Sequence, residues 1–201
     1  MTRWRFLGRV RLVAVSLGGA ALLLLTVRSS VASLHRAHGS SDAPTIRDGD
    51  VFLVNRMAYD IRLPVGGIAV ARLADPRRGD MVLFSMPGSG FLATKRVVAI
   101  PGEVVEVREG RLVVNGVPAR YRPAGTRDSS GILVEERNGL THLVIRPTTA
   151  SASDARTIPA DHFYVLGDNR QQSLDSRDFG PVPRSAIEGR LMVGSRGVGH
   201  R

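Results

Sequence analysis

The chain has no cysteine, which removes disulfides, thiol catalysis and cysteine-bound zinc from consideration. Lysine is almost as scarce. Lys and Arg together number 28, and Lys95 is the single lysine among them. None of the five histidines (His35, His38, His142, His162 and His200) stands in an H-E-x-x-H or other short metal-ligand spacing, so neither a metal nor a cofactor is expected. Aromatic residues make up only 5% of the chain, against 22 glycines and 11 prolines, a balance that favours a turn-rich β protein. Apolar residues at 43% and charged residues at 23% exclude a wholly disordered or collagen-like chain. A length of 201 residues suits one globular unit with appendages.

The formal charge of +10 raises nucleic acid and membrane as partners, and its placement separates them. Six arginines (Arg3, Arg5, Arg9, Arg11, Arg28 and Arg36) and no acid fall in residues 1–38, leaving a mildly basic body. Between Arg11 and Arg28 lie 16 uncharged, mostly apolar residues, LVAVSLGGAALLLLTV. A membrane span needs about 17–25 residues, and the flanking arginines lengthen the stretch by directing their charged heads outward. The expectation is a basic cytoplasmic tail at 1–11, a transmembrane helix at 12–28, an exposed connector at 29–38, an extracytoplasmic domain at 39–195 and a tail at 196–201. The lipid bilayer is then the first partner, with no role for nucleic acid. The rival is a cleaved signal peptide ending near Val31-Ala32-Ser33. In either case the body works outside the cytoplasm, where a chain without cysteine avoids stray oxidation.

The body shows short apolar runs between turn signals: 51–54, 81–85, 94–100, 104–107, 112–114, 140–145 and 163–166. Each has strand length. Val104–Arg108, Glu109-Gly110 and Arg111–Val114 read as a hairpin, with a second tight turn at Asn115-Gly116. Residues 118–138, rich in Arg, Pro, Gly and Ser, are expected to be irregular. No internal repeat and no amphipathic helix stands out, so the expected fold is mainly β.

Without cysteine or a His–Asp constellation, the available nucleophiles are hydroxyls, which need a base. Arginine stays protonated and cannot serve. A lysine serves once burial lowers its pKa by some two to three units from about 10.4. Lys95 lies in the apolar stretch LATKRVVAI, in a chain that uses arginine everywhere else. Composition alone leaves open an ordinary exposed lysine in an alternating strand.

Four segments bear on that choice: SDAPTIRDGDVFLVN (41–55), RGDMVLF (78–84), KRVVAIPG (95–102) and GDNRQQSLDSRDFGP (167–181). In order and content they resemble the type I signal peptidases, membrane-anchored Ser/Lys proteases of the S26 family, over nearly the whole chain from the anchor to Pro183. The segment Val54–Asp60 is also similar to the stretch just downstream of the nucleophile in that family. The resemblance implies a compact, antiparallel β catalytic domain behind one N-terminal transmembrane helix. It implies that Ser41 is the nucleophile, that Lys95 is the general base and later the general acid, and that Ser173 hydrogen-bonds and orients the amine. Asp175 and Arg177 would support the wall of the site, with Asp168 and Arg170 in the matching turn. The implied reaction removes signal peptides from secretory preproteins after small residues, at the membrane surface. An extended substrate would add as a strand beside Thr94, with Asp42 and Pro44 also facing it.

Two residues depart from the family's S-x-S-M-x-P-T block. Gly39 stands where the family has the serine whose hydroxyl is a second oxyanion donor beside the Ser41 N–H, a loss of about 100- to 1000-fold in turnover. Ser40 points the other way in an extended segment. Asp42 replaces an apolar methionine: close to the lysine it would favour the ammonium form, whereas on the opposite face of an extended segment it would meet substrate. These departures keep a second reading open, an anchored module that binds exported segments with weak or no catalysis. A cytoplasmic self-cleaving Ser/Lys repressor is a third, and it lacks a DNA-binding helical domain here. The topology is testable: protease added to the outer membrane face should digest the body and spare a short N-terminal fragment, whereas a soluble mature chain beginning near residue 33 would identify a cleaved peptide.

Overall fold

The computed structural model describes residues 31–62, 68–125, 131–145 and 153–192, with Gly19 alone before them. The anchor expected at 12–28 (Gly19 apart), the basic tail at 1–11 and the tail at 196–201 lie outside the described residues. Among the described residues no helix is long and apolar enough to cross a membrane.

The strands are β1 (Ala32–Arg36), β2 (Val51–Asn55), β3 (Asp60–Arg62), β4 (Ala69–Arg72), β5 (Met81–Ser85), β6 (Leu92–Ala99), β7 (Val104–Arg108) and β8 (Arg111–Val114). They continue as β9 (Val117–Pro118), β10 (Arg120–Pro123), β11 (Ile132–Arg137), β12 (Leu140–Ile145), β13 (Ser153–Thr157), β14 (His162–Leu166), β15 (Val182–Pro183) and β16 (Ile187–Met192). A single-turn helix, α1 (Ser176–Phe179), comes after β14. The central sheet has seven strands in the order β1-β2-β16-β5-β6-β14-β15, all paired antiparallel. A four-stranded sheet (β13-β7-β8-β9), a three-stranded one (β10-β11-β12) and the β3-β4 hairpin surround it.

Strand β6 is buried on both faces from Lys95 to Ala99, which explains the unbroken apolar run Val97–Ala99, while the buried Lys95 and Arg96 each face a carboxylate. Val98, with Tyr164 and Leu166 of β14, packs toward Val105, Leu112 and Val114 of the four-stranded sheet. Val97, with Phe163 and Val165, packs on the other side with Phe84, Val182 and Ile187. The change of partner between successive residues comes from the two-residue side-chain period of a strand. The hairpin expected around Glu109-Gly110 is β7-β8. Both turn residues have positive φ, 49° and 77°, as a two-residue type I′ turn requires.

Two segments differ from expectation. The connector expected at 29–38 contains β1, an edge strand in register with β2 from Ala32↔Asn55 to Arg36↔Val51. Edge strands are held through their backbone and need no apolar run, so a small, polar sequence conceals one. Residues 118–138, expected to be irregular, contain β10 and β11, paired from Arg120↔Glu136 to Pro123↔Leu133. Tyr121 is the one β10 side chain packed against the core, which leaves no alternating pattern to read.

Strand β16 alternates buried Ile187, Gly189 and Leu191 with outward residues. A Cβ at Gly189 would stand 2.6 Å from the Asn55 carbonyl oxygen and 2.8 Å from Val54 Cγ1. Gly189→Ala should therefore destabilise the domain by about 1–3 kcal/mol, seen as a lower urea midpoint at unchanged slope.

Candidate active site

Residues 39–45 connect β1 to β2 and do not run extended. Gly39 has φ +86°, a region that side chains with a Cβ rarely occupy. Ala43 N–H then bonds Ser40 O (3.1 Å) and Ile46 N–H bonds Asp42 O (2.9 Å), folding Ser41–Thr45 into a turn. The chain after β14 clasps this turn. Asn169 N–H donates to Ser41 O (3.0 Å) and Asn169 Nδ2 donates to Ser40 O (3.1 Å). Gly167 permits that approach, because a Cβ there would lie 2.5 Å from Ser41 O and 2.2 Å from Ser173 Oγ.

The turn places Ser41 and Asp42 together against β6. Lys95 is 3% exposed, and its Nζ donates to Ser41 Oγ at 2.7 Å, to Thr94 O at 2.6 Å and to Asp42 Oδ1 at 3.3 Å. The Thr94 hydroxyl donates to the other Asp42 oxygen. The opposite-face arrangement of Ser41 and Asp42 considered for an extended segment is thus absent. Burial pushes the Asp42 carboxyl above its ordinary value, only partly offset by Lys95 and the Thr94 hydrogen bond.

Arg96, the next residue on β6, points away from Lys95. Its Nε and Nη2 form a two-pronged pair with Asp168 (2.8 and 2.6 Å), and its Nη1 donates to Gly79 O (2.8 Å). The Thr45 hydroxyl also donates to Asp168. Asp168 is fully buried. Burial acts to raise its carboxyl, and the charge and hydrogen bonds of Arg96 outweigh that and hold it below its ordinary value. Arg170 donates through Nε to Gly167 O (3.0 Å) and pairs through Nη1 with Glu135 of β11 (2.8 Å). Tyr121 OH also donates to Glu135 (2.6 Å). Burial alone would raise Glu135; Arg170 and His142 hold it well below the usual carboxylate range.

Asp175 caps α1, accepting from Arg177 N–H (3.2 Å), Arg177 Nε (2.8 Å) and Gly167 N–H (3.1 Å). The Ser173 hydroxyl is buried without a hydrogen-bond partner among the described residues and makes no bond to Lys95. A cleft of about 710 Å³ opens over the site, and its lining includes Gly39, Ser41, Asp42, Thr94 and Lys95 with Leu34, Phe52, Leu92 and Leu174. Pro44, Asp168, Ser173, Asp175 and Arg177 are not among its lining residues. Gly39 N–H donates to Asp48 (2.9 Å), and the Ser40 hydroxyl donates to Gln172 (2.9 Å), so neither group turns toward Ser41 Oγ. The Ser41 N–H has no partner among the described residues. Sequence reasoning missed Arg96, Thr45, Glu135 and Tyr121. The signals were the arginine beside the lone lysine, the threonine of the P-T pair, and the first acid of the apolar run ILVEE.

The family model for signal peptidases, peptidase S26, matches residues 10–194. The chain is 36% identical over 164 residues to signal peptidase I of Pseudomonas aeruginosa, covering 77% of this chain and 58% of that one. It is 34% identical to signal peptidase I of Pseudomonas fluorescens, covering 82% and 62%. With signal peptidase I of Leptolyngbya laminosa it shares 30% identity, covering 89% and 75%. An antiparallel β domain matched over residues 10–194 by that model places the chain in the S26 signal peptidase family. It spans about 60% of the length of the two Pseudomonas relatives.

Asp168→Asn would leave Arg96 buried without a counter-charge and should cost about 3–5 kcal/mol. Because the folded carboxyl is held below 3.8, the parent's advantage is present above that value and is lost as pH falls through the folded one. Urea unfolding of both proteins at neutral and acid pH should show the gap closing in acid.

Proposed function

We propose that this chain is a membrane-anchored serine endopeptidase that removes signal peptides from exported preproteins, with Ser41 as nucleophile and Lys95 as general base. The observation that carries the reading is the 2.7 Å contact between Lys95 Nζ and Ser41 Oγ beneath an open cleft. In its neutral form the amine takes the Ser41 proton as Oγ attacks the scissile carbonyl. The developing oxyanion meets the unengaged Ser41 N–H. The ammonium then protonates the leaving amine, and the neutral amine so regenerated activates the water that releases the acyl group.

Strand pairing supports an extended substrate. Residues 92–96 of β6 pair with β5, whereas pairing with β14 begins only at Arg96. Leu92–Lys95 therefore keep an unpaired edge beside the cleft among the described residues, suited to an added strand. The apolar lining, with Leu34, Phe52 and Leu92, suits apolar side chains next to a small residue at the cut. A binding module without catalysis would need the cleft but not the amine–hydroxyl contact, which favours the enzyme. The anchor at 12–28 would hold the site at the bilayer surface where preproteins emerge.

The test is preprotein cleavage by the full chain in detergent. Ser41→Ala should reduce cleavage to background, and Lys95→Arg should lower kcat by about 100- to 10,000-fold, since a guanidinium keeps the charge but cannot accept the proton. Near-parent cleavage by folded Lys95→Arg would overturn the assignment.

A further inference from the structure

The resemblance gives Ser173 the task of orienting the lysine amine, but the geometry around Lys95 is different. The Ser173 hydroxyl has no partner among the described residues, and the third contact of Nζ, beyond Ser41 and Thr94, is Asp42. Asp42 is fixed from several sides. Its backbone carbonyl accepts from Ile46 N–H (2.9 Å), one carboxyl oxygen accepts from the Thr94 hydroxyl, and the other lies 3.3 Å from Nζ. The carboxyl thus bridges two successive residues of β6. At 6% exposure, with both oxygens engaged, it has little left to offer a substrate.

We propose that Asp42 is the positioning residue for Lys95, in place of Ser173, and that its charge sets the pH above which the amine can take the Ser41 proton. This rests on the Ser/Lys reading above. A carboxylate within about 4–6 Å of an amine favours the ammonium form, and an ammonium cannot act as base. Asp42 is therefore a clamp and a brake together: it fixes the direction of Nζ and moves activity toward alkaline pH. Through a catalytic cycle its own proton count is unchanged. The Ser41 proton passes to Nζ and then to the leaving amine.

The other charged groups near the pair stay in place when Asp42 is neutralised. Asp168, on the chain after β14, acts on Asp42 by repulsion, while its own charge is tied to Arg96 of β6. His35 and Arg36 of β1, with His38 beyond it, line the cleft. Burial raises the Asp42 carboxyl above 3.8, so the carboxylate form is a strain on the folded state. The stability that the protonated form supplies is lost as pH rises from 3.8 through the folded value. Asp42→Asn keeps an acceptor of the same shape without that cost.

Because Lys95 is the only lysine, a full chain labelled with 13C-lysine and held in detergent gives one side-chain signal, whose pH titration reports this amine alone. It should be tracked in parent, Asp42→Asn and Ser173→Ala, beside kcat/KM against pH on one peptide. In Asp42→Asn the titration midpoint and the acid limb of kcat/KM should fall together by about one to three pH units; in Ser173→Ala both should stay where they are. A midpoint unmoved in Asp42→Asn, or moved as far in Ser173→Ala, overturns the proposal. Asp42→Met, lacking both charge and acceptor, replaces the asparagine variant should that fail to fold. The signal does not depend on turnover: a shifted midpoint with no preprotein cleavage sinks the peptidase reading and leaves the clamp, and cleavage with an unmoved midpoint does the reverse.

Discussion

The two-pronged pair between Arg96 and Asp168 joins three segments that are distant in sequence: strand β6, the Ser41–Thr45 turn and the chain after β14. Arg96 reaches Asp168, Thr45 and the Gly79 carbonyl at once. Successive side chains on a strand leave by opposite faces. Fixing Arg96 therefore fixes the direction of Lys95, and fixing Thr45 sets where the turn holds Ser41. Removing two such charges from water costs several kcal/mol per ion, so a buried pair is poor evidence of net stability. Its contribution here is placement, because it helps hold the Ser41 hydroxyl 2.7 Å from the Lys95 amine.

A second layer of contacts steadies the first. Glu135 receives Arg170 and Tyr121 and so ties the three-stranded sheet to the turn at Gly167–Arg170. Asp175 caps α1 and accepts from the Gly167 N–H, bracing the same turn from the other side. Gly167 is the close point of approach, since any Cβ would run into Ser41 O and Ser173. These residues act on the site through the backbone that presents Ser41, without facing the cleft.

The two departures from the family block affect different parts of the site. At Gly39 the positive φ of 86° disfavours the serine that the block would place there, and the N–H is committed to Asp48. The Ser40 hydroxyl is directed to Gln172, and the backbone N–H of Ser41 has no partner among the described residues. At Asp42 the turn carries the substituted side chain inward, onto Lys95 and Thr94. A polar residue at that position therefore enters the hydrogen-bonding around Lys95, where an apolar one would only fill space.

Much of this was legible in the chain. Apolar runs of strand length marked the interior strands, because a strand covered on both faces, as β6 is from Val97 to Ala99, loses the polar alternation of a half-exposed one. Gly110 and the Asn115-Gly116 pair marked their turns, because glycine, and after it asparagine, adopts left-handed backbone most readily. The lone lysine and its neighbouring motifs singled out Ser41, Lys95 and the turn that includes Asp168. The edge strands β1 and β10 were not legible, since backbone pairing holds them and leaves no side-chain period. Nor could the sequence say which way Asp42 points: alternation in an extended segment sends it away from Ser41, and a turn closed by Asn169 and Ile46 brings it back. Residue types and spacing determined the interior strands and their turns, because burial and turn chemistry are local. Which side chains meet the lysine amine was decided by the tertiary structure, because Ser41 and Asp42 reach it by ångström-scale contacts from a segment more than 50 residues away.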